Sequence, residues 1–387
     1  MKQFVLVHNT VTPYRVHMFC ALSEAFLRRD VTLSVYFMSR QHRDRPDDWA
    51  GTRAMTFASK FWSDIGPTIN NKPWHCNPTM IADLMRQRID VLMVGGPWDS
   101  VTGALVSAFG RRRVGIAWFE GNTKSPGRRS TGIRGVKRWL LSQFDLLAVP
   151  GEEGARLARL LWGEGDDMPR CVRLPNLVEE GRFSVDRDRP DRAMHRNEWC
   201  RELGLPVDRK VAIWPARLIP AKGVCEFLSV IEPRMLLDWS ILIAGDGPLR
   251  ETVGNTITSR ALGGHITVRH NIPYARMPLA YLHADLFLLP SLSDPNPLSV
   301  IEAMHSGLPL LVSKRIGNYP EALQVGVNGW GIDPSSADEI RTVCSEAFNC
   351  STDKLKEMGR ASARLAGANW NTGTAITNFV DAVLERL

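Results

Sequence analysis

No apolar run in this sequence approaches the roughly 18 residues that a membrane-spanning helix needs. At its start only Phe4 to Val7 is apolar before His8 and Asn9, far short of a signal-peptide core. Both observations lead us to expect a cytoplasmic protein. The seven cysteines, Cys20, Cys76, Cys171, Cys200, Cys225, Cys344 and Cys350, form no CxxC pair. That spacing argues against a zinc site and against a disulfide framework, and they read as reduced core residues. Short-period repeats and low-complexity tracts are also missing.

What is present fits a globular chain of two ordinary domains: 387 residues, 44% apolar and 23% charged. The twelve tryptophans are expected mainly to fill cores, with a few left to line sugar or acceptor surfaces. The net charge of +7 is uneven. Residues 111–138 hold nine basic side chains (Arg111, Arg112, Arg113, Lys124, Arg128, Arg129, Arg134, Lys137, Arg138) against Glu120, so this segment carries +8 and the remainder −1.

Apolar strands and helical patterns alternate. Phe4 to Val7 reads as a buried strand, Val16 to Phe26 as an amphipathic helix and Val31 to Phe37 as a second strand. Val91 to Val94, Val114 to Phe119 and Leu146 to Val149 repeat the unit, each ending in turn residues. A second set runs through Val211 to Trp214, Ile241 to Ala244, Ile266 to Val268, Leu286 to Leu289 and Leu310 to Val312. Continuous apolar strands separated by helices predict doubly wound parallel sheets, whose ligands bind at the C-terminal strand ends. We expect a first Rossmann-like domain over 1–178, a charged connection over 179–209, a second such domain over 210–368, and a last helix over 369–387. In the connection, Asp186-Arg187-Asp188 has the form of a metal-binding DxD, but its charged setting reads as solvated linker and no metal is inferred.

The stretch Leu289 to Ser313 organises the second half. A strand end meets Pro290, a polar turn follows, Pro297 stands where a first helical residue is well placed, and Gly307 closes the helix. Leu298, Ile301 and Met304 make an apolar face beside Glu302, a position where an unpaired carboxylate would be costly to desolvate, so Glu302 is expected to have a partner. Asp294 and Glu302 are eight residues apart, which directs both carboxylates toward the ground before the helix N-terminus. Asp294 as a helix cap or turn residue, with Glu302 merely on the surface, is the plain alternative. Earlier in the chain, Arg217 and Lys222 follow a strand and open a helix, an arrangement suited to a diphosphate, with a merely solvated pair as the plain alternative.

The stretch resembles the signature of the retaining GT-B glycosyltransferases of family 4, in which two glutamates lie eight apart just before and within such a helix. Glu302-Ala303-Met304, Gly307 and Pro309 match closely. Asp294 is one methylene shorter than the family's first glutamate, and Pro297 replaces its usual glycine, removing one backbone donor for phosphate. The layout resembles the family over the whole chain, and the specific motifs lie in residues 211–331.

The resemblance implies a GT-B fold of two Rossmann-like domains facing across a cleft, and transfer of a sugar, with retention, from a UDP- or GDP-sugar to an acceptor hydroxyl without a metal or further cofactor. It implies that Arg217 and Lys222 hold the donor's phosphates with the N–H groups of Leu298 and Ser299, that Glu302 takes the ribose, and that Asp294 takes hexose hydroxyls. Gly247, in Gly245-Asp246-Gly247-Pro248, and Arg269 to Pro273, including Asn271 and Ile272, match places beside the donor, as does Asn296. Glu120 stands where the family tends to have a histidine, and reads either as a hydrogen-bonding partner of the acceptor hydroxyl or donor sugar or as a structural carboxylate at a strand end. The glycine-rich turn often found after the first strand is replaced by residues His8 to Arg15, of which His8 and Arg15 either reach the cleft or only fix this turn. These two, with Trp118, Arg128 and Arg129, are the acceptor-side candidates.

The acceptor is expected to be a lipid-linked or cell-surface glycan precursor, with residues 111–138 drawn to an anionic membrane on its inner face. A solvated basic face and a nucleic-acid partner, with Trp118 or Trp139 stacking on a base and DNA carrying modified bases as acceptor, are the other readings of that segment. A nucleotide-sugar epimerase of the same fold and a non-catalytic nucleotide-sugar-binding protein are the other readings of the whole.

Overall fold

In the computed structural model, which describes every residue except 41–53, 70, 71, 125–130, 164, 166, 189 and 271, the chain divides into two compact units. One comprises Met1–Val178 with Asn371–Leu387 and the other Glu179–Trp370.

The first unit runs β1 (Lys2–His8), α1 (Pro13–Leu27), β2 (Val31–Phe37), β3 (Ala58–Phe61), the short antiparallel pair β4 (Thr68–Ile69) and β5 (Lys72–Pro73), then α2 (Pro78–Arg86), β6 (Ile89–Gly95), α3 (Val101–Phe109), β7 (Arg112–Trp118), α4 (Thr131–Leu141), β8 (Leu146–Val149), α5 (Glu152–Trp162) and β9 (Arg170–Arg173). Seven of these strands form a parallel sheet in the order β3-β2-β1-β6-β7-β8-β9. Because successive side chains of a strand point to opposite faces, each central strand feeds two cores. Phe4 and Leu6 of β1 join Phe19 and Phe26 of α1 on one face, whereas Val5 and Val7 join Leu92, Val94 and Leu157 on the other. The second unit consists of α6 (Glu180–Phe183), α7 (Arg192–Glu202), β10 (Lys210–Pro215), α8 (Val224–Val230), β11 (Trp239–Ala244), α9 (Arg250–Ser259), β12 (Ile266–Arg269), α10 (Met277–His283), β13 (Leu286–Leu289), α11 (Leu298–His305), β14 (Leu310–Ser313), α12 (Tyr319–Ala322), β15 (Gly329–Ile332), α13 (Ala337–Phe348) and α14 (Thr352–Asn369). Its six strands are parallel in the order β12-β11-β10-β13-β14-β15. The last helix, α15 (Thr372–Leu384), returns to the first unit, where Ile376, Phe379, Val380 and Val383 bury their faces in the core that α1 lines. Each such buried side chain contributes roughly 1.5–3 kcal/mol.

β3, β9 and β15 are strands that the apolar alternation does not mark. All three lie at sheet edges; β3 alternates exposed and half-buried residues and β9 begins and ends in arginine, whereas β15 is buried throughout but carries two glycines, which weaken its apolar signal. Residues 179–209, expected as a charged connection, hold α6 and α7 and belong to the second unit. Their arginines are docked rather than solvated. Arg187 donates to the carbonyls of Tyr281 and Ala284, Arg192 to that of Leu282, and Arg196 to that of His283, so the group satisfies the carbonyls left over at the C-terminus of α10. In the DxD triplet the Asp186 carboxylate accepts from the Asp188 amide, and the arginine between them is turned into the fold. Among the described residues no helix is long and apolar enough to cross a membrane.

Candidate functional site

The second sheet reverses its winding between β10 and β13, with β11 and β12 added on one side and β14 and β15 on the other. At such a point the turns leaving two neighbouring strands diverge and open a crevice at their C-terminal ends. The turn after β10 carries Arg217 and Lys222, and the turn after β13 carries Asp294. Although 72 residues apart in sequence, Lys222 Nζ donates to Asp294 Oδ2 across the switch point. The two side chains keep 20% and 10% of their surface open, so the pair is shielded yet reachable. Arg217 is exposed on the same turn.

Two glycines permit this approach. Gly223, just after Lys222, has φ +69°, and a Cβ there would lie 2.3 Å from the carbonyl oxygen of Pro290. Gly247 lies over the Leu218 backbone, where a Cβ would meet the carbonyl oxygen at 2.5 Å. The Asp246 side chain accepts from the Gly247 amide while its carbonyl takes the Leu218 amide, locking this turn against the one after β10.

α11 starts one residue later than the sequence suggests. Pro297 is the N-cap residue at φ −67° and ψ 119°, and Leu298 is the first helical residue. The amides of Leu298 and Ser299 therefore head the helix, where amides have no intrahelical acceptor. Asp294 is not the cap, because it lies three residues before Pro297 and holds Lys222 instead. At the far end Gly307 takes φ +68° and closes the helix as expected.

Glu302 has the partner its position requires. Its Oε2 accepts from the Tyr281 hydroxyl at 2.8 Å, and the residue is only 8% exposed. Burial pushes its carboxyl up to about 7, opposed by the Tyr281 hydrogen bond and the Arg182 charge. Arg182 itself lies over the Tyr274 ring, its guanidinium carbon 4.7 Å from the centroid. Tyr274, Tyr281 and Arg182 were not legible as site residues. Tyr281 reads in sequence as one more core residue of a helix, and Arg182 as part of a charged connection.

The remaining donor-side candidates divide. Asn296 is buried beside the start of α11, and Leu298 and Ser299 are half-buried. Arg269 turns its guanidinium away, donating to the carbonyl of Leu203 at 2.6 Å, while its backbone carbonyl takes the Gly245 amide at the strand end. Ile272 is half-buried, and Asn271 lies outside the described residues.

In the first unit the winding reverses between β1 and β6. There the structure gathers four of the candidates. The His8 ring stacks on Trp118 with centroids 5.3 Å apart, and the Arg15 guanidinium covers Trp118 at 4.2 Å. Arg15 donates to Glu120 Oε1 at 2.5 Å and to Asn176 Oδ1 at 2.9 Å. Burial and the Arg15 charge hold His8 well below its ordinary range, so it is neutral at physiological pH. Burial opposes the Arg15 charge, but Glu120 and Tyr14 more than offset it. Glu120 remains 31% exposed and is the outward end of this cluster. Asn176 was missed, although Pro175-Asn176 follows β9 as a turn follows the other strands.

The basic segment is not one surface. Arg112 is consumed internally, donating to the carbonyls of Ser107, Gly110 and Gln143 over the Phe144 ring. Lys137 lies 5.3 Å from the Trp98 centroid and Arg138 5.3 Å from that of Trp162. Arg111, Arg113, Lys124, Arg134 and Arg138 are exposed. Arg128 and Arg129 lie outside the described residues. Beside these charges α4 exposes Val136 at 56% and Trp139 at 51%, and the neighbouring α3 exposes Phe109 at 58%.

Residues 195–364 match the family model described as glycosyl transferases group 1. Over 207 residues the chain is 29% identical to a GDP-mannose-dependent alpha-(1-6)-phosphatidylinositol monomannoside mannosyltransferase of Mycolicibacterium smegmatis, covering 51% of this chain and 50% of that protein. It is 31% identical over 231 residues to a D-inositol 3-phosphate glycosyltransferase of Acidothermus cellulolyticus, covering 56% and 48%. The chain thus spans about half the length of the curated relatives it matches. Among solved structures, the sucrose-phosphate synthase of Thermosynechococcus elongatus aligns over 100% of this chain and 99% of its own with TM-score 0.75 at 13% identity. Anabaena HepE in complex with UDP aligns over 100% of both chains with TM-score 0.73 at 17% identity. The shared property is the fold: two Rossmann-like parallel-sheet domains of the GT-B type.

Proposed function

We propose that this chain, whose residues 195–364 match the family model described as glycosyl transferases group 1, moves a sugar from a nucleoside-diphosphate sugar to an acceptor hydroxyl. The observation that carries the reading is the Lys222–Asp294 pair across the β10/β13 switch point, beside the head of α11. A cation and the unpaired amides of a helix terminus suit the diphosphate, and the carboxylate suits sugar hydroxyls, since it accepts only and can take two.

In the reaction the bond from the anomeric carbon to the donor phosphate breaks, and charge grows on the departing diphosphate. Once the donor is bound, Arg217, Lys222 and the Leu298 and Ser299 amides would meet its diphosphate and stabilise the growing charge without reorganising in the transfer step itself. Because Lys222 rests on Asp294, an arriving diphosphate has to share or replace that carboxylate. Asp294 then turns to the hexose hydroxyls, and Glu302 takes the ribose. Retention follows in our reading from attack on the face the diphosphate leaves, with a donor phosphate oxygen taking the acceptor's proton and no metal required. The donor base is uracil or guanine. Relatives named for GDP-mannose and a fold neighbour solved with UDP support those two.

The first unit supplies the acceptor side. Glu120, held by Arg15, would accept from the acceptor hydroxyl or a donor hydroxyl, and the neutral His8 and Trp118 would shape its surroundings. A lipid-linked or cell-surface glycan precursor is the acceptor class we favour. The exposed basic and apolar residues of α4 suit an anionic membrane face better than solvent alone.

A thermal-shift panel of UDP, GDP and their sugars tests the donor, since a ligand at 100 times its dissociation constant adds roughly 2.7 kcal/mol of stability. Sugar transfer by the responding donor is then measured in Lys222→Ala. Loss of a cation that meets developing charge should cost on the order of 2–4 kcal/mol in the barrier, about 30- to 1000-fold in rate. A variant within threefold of the parent turnover would remove Lys222 from the reaction. Epimerised donor with no transfer would replace a transferase by an epimerase.

A further inference from the structure

We propose that Tyr281 is a positioning residue for donor recognition, its hydroxyl holding one oxygen of the Glu302 carboxylate so that the other is presented to the ribose. The proposal rests on the donor reading above. Its own basis is geometric. Tyr281 is fully buried on α10, its hydroxyl donates to Glu302 Oε2 at 2.8 Å, and Oε1 takes no bond among the described residues while Glu302 keeps 8% of its surface open. A carboxylate fixed at one oxygen cannot rotate, so its second oxygen has a set direction. Without the phenol, the group would have to be ordered by the ligand itself, at the ligand's expense in affinity.

The ring cannot drift. Phe183 of α6 packs between Tyr281 and Tyr274, with centroids 6.0 and 6.2 Å away, and Phe287 of β13 lies 6.4 Å from the Tyr281 ring. The groups acting on Glu302 are the Tyr281 hydroxyl and Arg182 of α6. Tyr274 feels the Glu302 charge but donates no hydrogen bond to it, and Glu180 of α6 acts on His305, one turn further along α11. Among the described residues the Tyr281 hydroxyl is thus the neutral donor that both orients the carboxylate and favours its charged form.

Packing alone would not produce the following behaviour. Nucleotide binding should weaken on the acid side as Glu302 takes up a proton near 7, because a carboxyl group accepts fewer hydrogen bonds from the ribose than a carboxylate. Calorimetric titration with UDP and GDP from about pH 5.5 to about 9 reads this acid limb. Tyr281→Phe keeps the ring and removes the donor, so the limb should move up by about half to one pH unit, which lowers the ionised fraction at pH 7, and affinity with it, about two- to fivefold. Tyr274→Phe, in the same aromatic cluster, should leave the limb in place.

Site-specific 3-fluorotyrosine at position 281 supplies a stronger donor of nearly the same shape, and should move the limb down. It also decides the matter if Tyr281→Phe does not fold. A parent chain that titrates while Tyr281→Phe or the fluorinated chain leaves the limb unmoved overturns the role of Tyr281 alone. If the parent binds neither UDP nor GDP at any pH, the donor reading itself has failed and the role falls with it.

Discussion

Burial pushes the Glu302 carboxyl up to about 7, so over the range from ordinary carboxylate titration to neutrality the folded chain holds a proton that the unfolded chain has released. The folded state binding more protons means that stability falls as pH rises through that window, and the deficit is complete above it. Glu302→Gln removes the titration and keeps an oxygen for the Tyr281 hydroxyl. We expect little change in stability at pH 5 and a gain on the order of 2–3 kcal/mol at pH 8, together with weaker nucleotide binding. Denaturant titrations at the two pH values check this. Equal effects at both would show that the buried carboxylate carries no penalty. Such a trade is expected where binding geometry, rather than stability, decides the residue.

At the scale of elements, the candidate site is a junction of two turns. The turn after β10 meets the turn after β13 through Gly223, the Ser293 amide donating to the Ala221 carbonyl, and Lys222 reaching Asp294. A side chain at Gly223 is opposed twice, by its φ of +69° and by the Pro290 carbonyl 2.3 Å from the Cβ position. Gly223→Ala should therefore destabilise the chain by more than about 2 kcal/mol, since left-handed backbone and a backbone clash both act. It should also weaken diphosphate binding beyond what the lost stability explains, because Lys222 is displaced. Chemical denaturation and calorimetry on the same sample separate the two effects. A variant as stable as the parent would mean that the two turns yield easily.

Across the whole molecule, charge and exposed apolar surface coincide on α4 of the first unit. Arg134 and Arg138 are exposed beside Val136 and Trp139. Each basic residue near an anionic bilayer contributes roughly 1 kcal/mol, and the aromatic and aliphatic side chains add burial at the interface. Co-sedimentation with vesicles of anionic lipid, and not with neutral ones, is the expected outcome. Changing Arg134, Lys137 and Arg138 to Gln together should abolish it, and Trp139→Ala should weaken it. If vesicles fail while duplex DNA binds with a steep salt dependence, the nucleic-acid reading takes its place.

By itself the sequence determined the layers of this protein and the outline of its candidate site. Apolar strands alternating with helices are a local signal, because a strand buried on both faces needs an unbroken apolar run; hence the central strands were legible, whereas β3 and β9, only partly buried, and β15, buried but half glycine, were not. The carboxylates Asp294 and Glu302 and the cations Arg217 and Lys222 were legible because their turns and helix carry spaced motifs. The need of Glu302 for a partner followed from its apolar neighbours. Tertiary structure alone decided who the partners are. Tyr281 reaches Glu302 from another helix, Lys222 closes on Asp294 across 72 residues, and Arg15 gathers Glu120 and Asn176 from two further strand ends. It also decided that the arginines of residues 179–209 dock on α10 rather than stand in solvent. Such pairings depend on strand order and on which side of a switch point each turn falls, and neither is encoded in spacing along the chain.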